Sequence, residues 1–232
     1  MSHVVPGRQP VHEALRAQRG LLELWVLDAG DELAERAAGQ GIPVRAVARA
    51  ALDERAGGVL HQGVAAIAPP FPYVALRELG GDLVVALDGV TDPQNLGAIA
   101  RSAEAAGASG LVLPKRRSAH VSPAAEKAAA GAFSWLSVAT VPNVTRALSE
   151  LAARGMWSVG LAAEASQAVW DCGLLDGPTV VVVGAEGAGL TRLVRQRCDA
   201  LVAVPLAGRV GSLNASAAAA IVLFEKRRRA AT

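Results

Sequence analysis

The sequence predicts an α/β protein: a small α/β module, then a larger domain built on a mostly parallel sheet with helices on both faces. Three observations predict this class. Of the 232 residues, 52% are apolar, which is enough for a buried core and excludes a disordered chain. Short apolar runs alternate with segments of helical periodicity along most of the chain. A proline-rich segment at residues 69–72 separates the two parts.

Residues 1–68 are predicted to form the small module, which is close to the minimum size for an independent core. Helices are expected at residues 10–18, 31–38 and 50–55, and strands at residues 21–27, 43–47 and 61–68. Pro10 suits the first turn of its helix, where a missing N–H costs nothing. Residues 69–82 follow as a semi-rigid linker, because three prolines in four residues cannot continue a helix or a sheet.

Residues 83–232 are predicted to form the larger domain, in which a strand–loop–helix pattern repeats. Strands are expected at residues 83–87, 110–113, 136–141, 157–161, 179–183 and 201–204. Helices are expected at residues 95–106, 123–130, 144–153, 190–197 and 213–228. Alternation of this kind is typical of a parallel sheet whose faces are both covered.

The charge is unevenly distributed along the chain. Residues 1–82 carry 8 Arg and 10 acidic residues, whereas residues 83–232 carry 15 basic and 11 acidic residues. The excess is nearly all Arg, whose planar fork suits phosphate, so the bias is compatible with RNA or DNA. A GC-rich coding sequence would give the same bias.

Several classes of protein are disfavoured by composition. The four histidines and the two cysteines, Cys172 and Cys198, show neither metal-ligand spacing nor a disulfide framework, which predicts no metal and a reducing compartment. No uncharged apolar run reaches about 18 residues, so no membrane span is expected. Residues 1–12 lack the apolar stretch of a signal peptide, and we therefore predict a cytoplasmic protein.

The first of three segments with candidate chemistry covers residues 88–107. It begins where a predicted strand ends, at the sheet edge where parallel α/β proteins bind ligands. Asn95 is expected near the helix start, as a cap or a ligand contact. Arg101 follows six residues later. Glu104 offers it an i,i+3 ion pair as the alternative to a role in a site.

The second segment, residues 180–190, combines a strand of four valines with a glycine-rich turn. Gly184, Gly187 and Gly189 let the backbone approach a ligand closely, and Glu186 is expected on this turn. The dinucleotide fingerprint fails because Arg192 occupies the position of its last glycine. An oxidoreductase of the usual nucleotide-binding type is therefore disfavoured.

The third segment, residues 204–216, predicts an irregular loop rich in exposed amides and carbonyls. Ser212 and Asn214 both stand at a helix start, where one capping residue is enough, so one of them is available for a ligand. The basic tail at residues 225–229 suits either phosphate contact or a solvated helix end. The four tryptophans, which have no regular spacing, are interpreted as core or interface packing and not as a platform on which bases stack: Trp25, Trp135, Trp157 and Trp170.

In order and spacing, these segments resemble the three motifs of the SpoU/TrmH branch of the SPOUT RNA methyltransferases. The matching stretches read DPQNLGAIARSAEAAG, VGAEGAGL and VPLAGRVGSLNAS. The resemblance covers essentially all of residues 83–232. Residues 7–15 and 61–64 resemble the L30e-like substrate-binding domain of members that methylate a guanosine ribose in 23S rRNA.

The resemblance implies S-adenosylmethionine as cofactor, a C-terminal trefoil knot that forms its pocket, and a homodimer whose active sites are completed across the subunit interface. By motif position, it implies an active-site set of Arg101, Asn95, Glu186, Ser212 and Asn214. It places the cofactor contacts at Gly184, Val204, Leu206 and Leu213.

The implied function is methylation of the ribose 2′-hydroxyl of a guanosine in 23S rRNA, with RNA and not DNA as the partner. One alternative is a tRNA ribose 2′-O-methyltransferase of the same family. A second alternative is a non-catalytic RNA-binding or ribosome-assembly protein with a degenerate domain. The presence of Asn95, Arg101 and the glycine-rich turn favours an enzyme.

Overall fold

Two β-sheets organise the chain, and the computed structural model describes residues 2–230. The first sheet belongs to the small N-terminal module. Its elements are β1 (His3–Pro6), α1 (Arg8–Arg16), β2 (Glu23–Val26), α2 (Glu32–Gly39), β3 (Val44–Ala46), α3 (Arg49–Ala56) and β4 (Val64–Ala68).

The N-terminal sheet has the strand order β1-β4-β2-β3. Strand β4 pairs antiparallel with β1 and β2, while β2 and β3 are parallel. Sequence periodicity missed β1, which is only four residues long and ends at Pro6. An edge position tolerates this proline because the missing N–H removes no ladder bond from the interior of the sheet.

One predicted strand of this module is too long. The expected strand at residues 61–68 begins only at Val64. His61 is buried in the preceding turn, where its Nδ1 accepts a hydrogen bond from the Gly63 amide and its Nε2 lies 2.8 Å from Asp53 Oδ1. Residues 61–63 therefore have the apolar sequence pattern of a strand, but they form a turn that hydrogen bonds hold in place.

The second sheet belongs to the larger domain. Its elements are β5 (Leu83–Asp88), α4 (Pro93–Ala105), β6 (Gly110–Pro114), α5 (Pro123–Ala129), β7 (Ser137–Val141), α6 (Val144–Ala152), β8 (Trp157–Leu161), β9 (Gln167–Ala168), β10 (Thr179–Gly184), α7 (Arg192–Arg197), β11 (Ala200–Ala203) and α8 (Ala215–Ala230). Each predicted strand is present, and β9 is an additional two-residue strand.

All seven strands of this sheet are parallel, in the order β7-β6-β5-β10-β8-β11-β9. The chain runs outward from β5 to β7 and then returns to the other side of β5, where β10 pairs with it residue for residue. The strand order therefore reverses between β5 and β10. In open parallel sheets, ligands bind at the carboxyl ends of the strands beside such a switch point.

Helices cover both faces of this sheet, which confirms the predicted class. Helices α4, α5 and α8 pack on one face, and α6 and α7 on the other. Gly97 allows α4 to approach α5 closely, because a Cβ at this position would lie 2.5 Å from the carbonyl oxygen of Ala125. The trefoil knot implied by the resemblance stays a prediction.

The second half of the predicted linker is packed against the larger domain. Val74 forms a parallel bridge with Ala139 of β7, and Leu76 and Leu79 are buried. The predicted boundaries at residues 68 and 82 remain expectations. Residues 74–79 nevertheless pack against the larger domain at the edge of its sheet.

The two domains meet at a buried ionic contact. Glu126 of α5 is fully buried, and its Oε1 lies 2.7 Å from His3 Nε2 and 2.7 Å from the nearest Arg19 guanidinium nitrogen. The Arg19 guanidinium also lies over the ring of Phe71, 5.1 Å from its centroid. Because an unpaired charge at this depth would be costly, the contact fixes how the N-terminal domain docks.

The end of α8 is held by protein groups. Glu225 accepts hydrogen bonds from Arg228 and Arg229, and the bond from Arg228 is the largest of the effects that lower the pKa of the Glu225 carboxyl to about 2. Arg229 also donates to the Asp176 carboxylate and the Cys172 carbonyl. The interpretation of the tail as a solvated helix end or a phosphate contact is therefore wrong for Arg229, which anchors the helix.

Of the two interpretations of the tryptophans, packing in the core is wrong for three of them, whereas packing in an interface stays a prediction. Trp135, Trp157 and Trp170 are 50%, 50% and 47% exposed. Trp25 is partly buried between Arg45 and Arg55, whose guanidinium groups lie over its ring. In the part of the chain that the structure describes, no helix is both long and apolar enough to cross a bilayer.

Candidate active site

A cavity of about 950 Å³ opens at the carboxyl ends of β10, β8 and β11, beside the switch point. Most of its walls come from four stretches of chain, residues 161–166, 183–190, 202–206 and 208–215. The second and third segments singled out from the sequence therefore face the same space. The volume lies in the range of protein pockets that enclose most of a small organic ligand.

The first segment reaches this cavity through Asn95. Helix α4 begins at Pro93 and is capped by Asp92, whose carboxylate accepts hydrogen bonds from the amides of Gln94 and Asn95. The expectation of a helix start at Asn95 is thus wrong by two residues, because Asp92 supplies the cap. The buried Asn95 side chain is released from capping and is free to make tertiary contacts.

Three predicted residues form one hydrogen-bonded cluster. Asn95 Nδ2 donates to Glu186 Oε2 over 3.0 Å, and Asn214 Nδ2 donates to Asn95 Oδ1 over 3.0 Å. Asn214 Nδ2 is also 3.4 Å from Glu186 Oε2. This cluster joins the starts of α4 and α8 to the glycine-rich turn. These hydrogen bonds hold the three motifs together at the rim of the cavity.

The glycine-rich turn is closed by its own backbone. The amides of Ala185 and Gly189 donate to each other's carbonyls, and the Thr191 amide donates to the buried Asp88 carboxylate. A Cβ at Gly184 would lie 2.2 Å from the carbonyl carbon of Gly189. Only glycine fits at this position, because the two backbone stretches touch.

The third segment behaves as an open loop that ends in a cap. Asn214 Oδ1 accepts hydrogen bonds from the Ser216 amide and hydroxyl, so Asn214 is the capping residue at the start of α8. Ser212 faces the cavity without capping the helix. Among the described residues, no protein acceptor is found for the backbone amides of residues 206–213. The loop presents unused hydrogen-bonding groups to the cavity.

Seven of the nine residues predicted for the site line the cavity. They are Gly184, Glu186, Val204, Leu206, Ser212, Leu213 and Asn214. Asn95 contacts two of them through hydrogen bonds. Arg101 is the exception.

Arg101 lies on the other side of Asn95, away from the cavity of its own chain. Its six-residue separation from Asn95 corresponds to about 9 Å along the helix axis. It lines a separate groove of about 540 Å³ between the two domains, together with Arg16 and Trp135. No ion pair or hydrogen bond joins it to Glu104 or to any other residue that the structure describes. The alternative of a helical Arg101–Glu104 pair is therefore wrong.

Sequence reasoning missed a basic segment at the same sheet edge. Lys115, Arg116 and Arg117 directly follow β6, and all three side chains are exposed. Within the described chain, none of the three has a carboxylate partner. Strand β6 is the neighbour of β5, so these cations follow a strand that lies about 10 Å from β10 in the same sheet. Three consecutive cations immediately after a predicted strand were the available signal.

The cavity residues fit S-adenosylmethionine. The free amides and carbonyls of residues 206–213 suit the polar edges of an adenine and a ribose, while Leu206 and Leu213 supply apolar contact. A Cβ at Gly187, Gly208 or Gly211 would meet no atom within 4 Å, so the walls leave room for a ligand. At the same cavity, Arg195 pairs with Glu164, and the hydrogen bond from Arg195 holds the pKa of the Glu164 carboxyl below its ordinary value. Among the described residues, no group of three or more His, Cys, Asp or Glu side chains could hold a metal ion.

Comparison with known proteins agrees with this geometry. Residues 82–224 match the family model of the SpoU rRNA methylase family, and residues 4–74 match the model for RNA 2′-O ribose methyltransferase substrate binding. A relative from Mycobacterium ulcerans, named as an uncharacterized tRNA/rRNA methyltransferase, is 46% identical over 97% of this chain and 76% of its own length.

Two solved structures extend the similarity to three dimensions. The SpoU methyltransferase AviRb from Streptomyces viridochromogenes has a TM-score of 0.85 and 28% identity, covering 99% of this chain and 90% of that one. The AdoMet-bound rRNA methyltransferase from Sinorhizobium meliloti has a TM-score of 0.82 and 30% identity, covering 98% of this chain and 87% of that one.

The parallel sheet, the cavity at its switch point and these similarities define an RNA methyltransferase that uses S-adenosylmethionine as its cofactor. The chain belongs to the SpoU rRNA methylase family, whose model matches more than half of its length. The predicted enzyme class, an RNA 2′-O-ribose methyltransferase, and the predicted cofactor are thereby confirmed.

Substitution of Gly184 by alanine tests the floor of the cavity. The added methyl group is expected to push the turn at residues 185–189 outward, which lowers stability by about 1–3 kcal/mol and weakens S-adenosylmethionine binding about tenfold. Thermal unfolding and calorimetric titration with the cofactor measure both effects. Gly177→Ala is the control, because its added methyl group meets no atom within 4 Å. Unchanged cofactor affinity in Gly184→Ala would contradict the assignment of this turn to the cofactor site.

Proposed function

We propose that this enzyme methylates the ribose 2′-hydroxyl of a guanosine in 23S rRNA. One observation carries the choice of rRNA: the chain keeps a substrate-binding domain at residues 4–74 and aligns along almost its whole length with an enzyme described as an rRNA methyltransferase. The buried Glu126 contact docks this domain firmly onto the methylase domain. A large, folded RNA is the substrate for which such a rigid second domain is useful.

The residues of the site divide the work between binding and alignment. When bound, S-adenosylmethionine supplies a methyl group that is already activated by its sulfonium. The protein must therefore position the ribose hydroxyl and ease the loss of its proton. The backbone at Gly184, Val204, Leu206 and Leu213 holds the cofactor. The cluster of Asn95, Glu186 and Asn214 fixes the rim, and Ser212 contacts the reacting ribose.

Arg101 is assigned to the RNA. A guanidinium stays protonated in proteins, so Arg101 does not serve as the base. It grips the phosphate next to the target ribose and stabilises the negative charge that develops on the 2′-oxygen. Its lack of any partner among the described residues supports this role, because no other contact accounts for an unpaired arginine on this helix.

The position of Arg101 supports a homodimer. Since it lines a different groove from the cofactor cavity of its own chain, the ribose beside Arg101 is methylated by the cofactor of a second copy. Helix α8 packs against α4, and its Phe224 leaves half of its surface exposed for such a contact. The shared active site and the trefoil knot are the arrangement that the family resemblance implies. We place the enzyme in the cytoplasm, with the RNA that it modifies.

The target is tested by mapping ribose methylation in rRNA from cells that lack this protein, using mass spectrometry. Loss of a single 2′-O-methylguanosine in 23S rRNA is the expected result. Methyl incorporation into a 23S rRNA transcript is compared with incorporation into bulk tRNA. Preferential labelling of tRNA would replace rRNA by tRNA as the substrate, and failure to bind S-adenosylmethionine would restore the non-catalytic alternative.

The basic segment at residues 115–117 is expected to contact RNA phosphates. The double variant Arg116→Gln/Arg117→Gln removes two of its charges. The slope of log affinity against log salt should fall by about 1 to 1.5, since each phosphate contact to a single strand contributes about 0.7. Filter binding of the rRNA fragment between low and moderate salt measures the slope.

The matched control for this variant removes two cations at the opposite edge of the sheet. Arg77 precedes Leu79, which packs on the first residue of β6, and Arg227 follows Lys226, which pairs with Asp82 just before β5. Arg77→Gln/Arg227→Gln should leave the slope unchanged. An equal fall in both double variants would mean that net charge, and not this segment, sets the salt dependence.

A further inference from the structure

The groove between the two domains is lined by an aromatic ring and by charged side chains, of which the proposed reaction uses only Arg101. It joins α1 of the N-terminal domain to the loop at residues 129–132, Trp135 and the Arg101 face of α4. It is the place where the substrate-binding domain and the candidate active-site arginine meet. We propose that this groove binds one unstacked nucleotide of the RNA, whose base stacks on Trp135 beside Arg101. The inference rests on the proposed function, for which it names a substrate subsite.

Trp135 is built as a fixed and accessible ring. It is 50% exposed and, unlike the equally exposed Trp157 and Trp170, it lines the groove. Its indole Nε1 donates to Glu13 Oε2 over 3.0 Å, across the domain interface. The Arg16 guanidinium lies 5.7 Å from the ring centroid. The ring is therefore held by its edge and by Arg16 over the ring, while half of the residue's surface remains exposed and the residue lines the groove.

The loop that precedes Trp135 is packed tightly against α1. A Cβ at Gly131 would lie 2.4 Å from Glu13 Cβ, so α1 sits directly on this loop. Burial alone would raise the pKa of the Glu13 carboxyl. Hydrogen bonds from Trp135, His12 and Arg16 outweigh that effect and keep the pKa below its ordinary value. Glu13 therefore stays ionised and continues to orient both the indole and Arg16.

The charges of the groove favour a base over a bare phosphate. Glu13 and Glu104 balance Arg16 and Arg101, and Arg16 is already paired with Glu13 at 3.0 Å. A groove of balanced charge with an aromatic surface and several hydrogen-bonding side chains suits a planar, polar nucleobase. Arg101 remains as the one unpaired cation of the described groove, and it is available to the sugar-phosphate of the same nucleotide.

The dimensions agree with this occupant. A volume of about 540 Å³ lies within the range of small-molecule pockets and accommodates a nucleotide with bridging water. A nucleotide seated here would place its base against Trp135 and its ribose and phosphate toward Arg101. Sequence-specific recognition of folded RNA takes place at the unstacked bases of loops, bulges and ends, and the groove has the size to receive one such base.

The test separates stacking from domain packing by two substitutions at one position. Trp135→Phe keeps an aromatic surface but loses the hydrogen bond to Glu13, whereas Trp135→Leu keeps an apolar side chain without a ring. With a 23S rRNA fragment as substrate, Trp135→Leu should raise KM about 5- to 100-fold, the loss that follows removal of one base–aromatic stack. Trp135→Phe should stay within about threefold of the wild type. Both should leave kcat at saturating RNA largely unchanged.

Two further tryptophans serve as matched controls. Trp157 and Trp170 are as exposed as Trp135 but lie outside the groove. Their leucine variants should leave KM unaltered. If Trp135 only joins the domains, Trp135→Phe should raise KM as much as Trp135→Leu, and the unfolding midpoint should fall in both variants. That outcome overturns the proposal.

A direct binding measurement makes the result independent of methylation. Titration of the protein with a short unstructured oligoribonucleotide should quench tryptophan fluorescence, and Trp135→Phe should lose most of that quenching. Quenching that depends on Trp135, without methylation of any RNA, would contradict the proposed function but support nucleotide binding in the groove. Normal methylation, with neither a change in KM nor quenching that depends on Trp135, would contradict nucleotide binding in the groove but leave the proposed function supported.

Discussion

Substitution of Arg101 by lysine is expected to lower the single-turnover methylation rate by about 100- to 1,000-fold, the usual loss when one donor to a developing oxyanion is removed. Lysine keeps the positive charge but replaces the planar fork by a point charge, so it cannot hold the phosphate and the ribose hydroxyl in a fixed geometry. Rapid-quench assays with labelled S-adenosylmethionine measure the rate. Cofactor binding should be unchanged, because Arg101 does not line the cofactor cavity.

Arg227→Lys is the control for this experiment, since Arg227 is exposed at the far end of α8. A single-turnover rate for Arg101→Lys within threefold of the wild type would remove Arg101 from the reaction. A large loss in Arg101→Lys with an equal loss in the control would indicate that replacing any exposed arginine by lysine weakens RNA binding, and would leave Arg101 without a specific role.

Mixing two inactive variants locates Arg101 relative to the cofactor. Arg101→Ala lacks the arginine, and Leu213→Arg fills the cofactor cavity with a side chain at an exposed position. In a homodimer with shared sites, random mixing makes about half of the dimers mixed, and each mixed dimer has one complete site. The mixture should recover about a quarter of the wild-type activity. Recovery of none would show that each chain uses its own Arg101.

Removal of the Glu126 carboxylate is expected to have the largest effect on stability. Glu126→Ala leaves Arg19 and His3 buried without their carboxylate, and breaking a buried ion pair in this way costs about 3–5 kcal/mol. The unfolding midpoint should fall by about 10 °C for a chain of this length. Circular dichroism during heating measures the shift. Because Glu126 bridges the domains, limited proteolysis should also become faster in residues 69–73.

Glu150→Ala is the matched control for Glu126→Ala. Glu150 pairs with Arg146 at 3.0 Å on an exposed face of α6, where such a pair contributes at most about 0.5 kcal/mol. The double variant Arg19→Met/Glu126→Leu replaces the two principal charges by apolar groups and should regain much of the lost stability. A midpoint for Glu126→Ala equal to that of Glu150→Ala would contradict the view that this contact docks the domains.

The elements of the larger domain could be predicted because local sequence determines them. Strands such as β10, with four consecutive valines, are buried on both faces and leave an unmistakable apolar run. Errors appear where a tertiary contact replaces the local pattern. Residues 61–63 look like a strand but form a turn around His61, and β1 needs β4 as a partner before its four residues form a strand.

Part of the candidate site was also recognisable from local sequence. Glycines that a close backbone approach requires, such as Gly184, and polar residues at helix starts, such as Asn214, leave a signature in the sequence. The role of Asn95 was less visible. Its side chain is free for the cluster only because Asp92 takes the capping position, and its partners are 91 and 119 residues away along the chain.

From its residues alone, this protein is recognisable as a two-part α/β enzyme with three loops that carry chemistry, because periodicity, turn residues and motif spacing are properties of short stretches of chain. The three-dimensional arrangement alone separates Arg101 from the cofactor cavity, exposes Trp135 and buries Glu126 between the domains. These features depend on contacts between segments that are distant in sequence. No local pattern specifies them, since burial and orientation arise only when the two domains and the seven-stranded sheet are packed together.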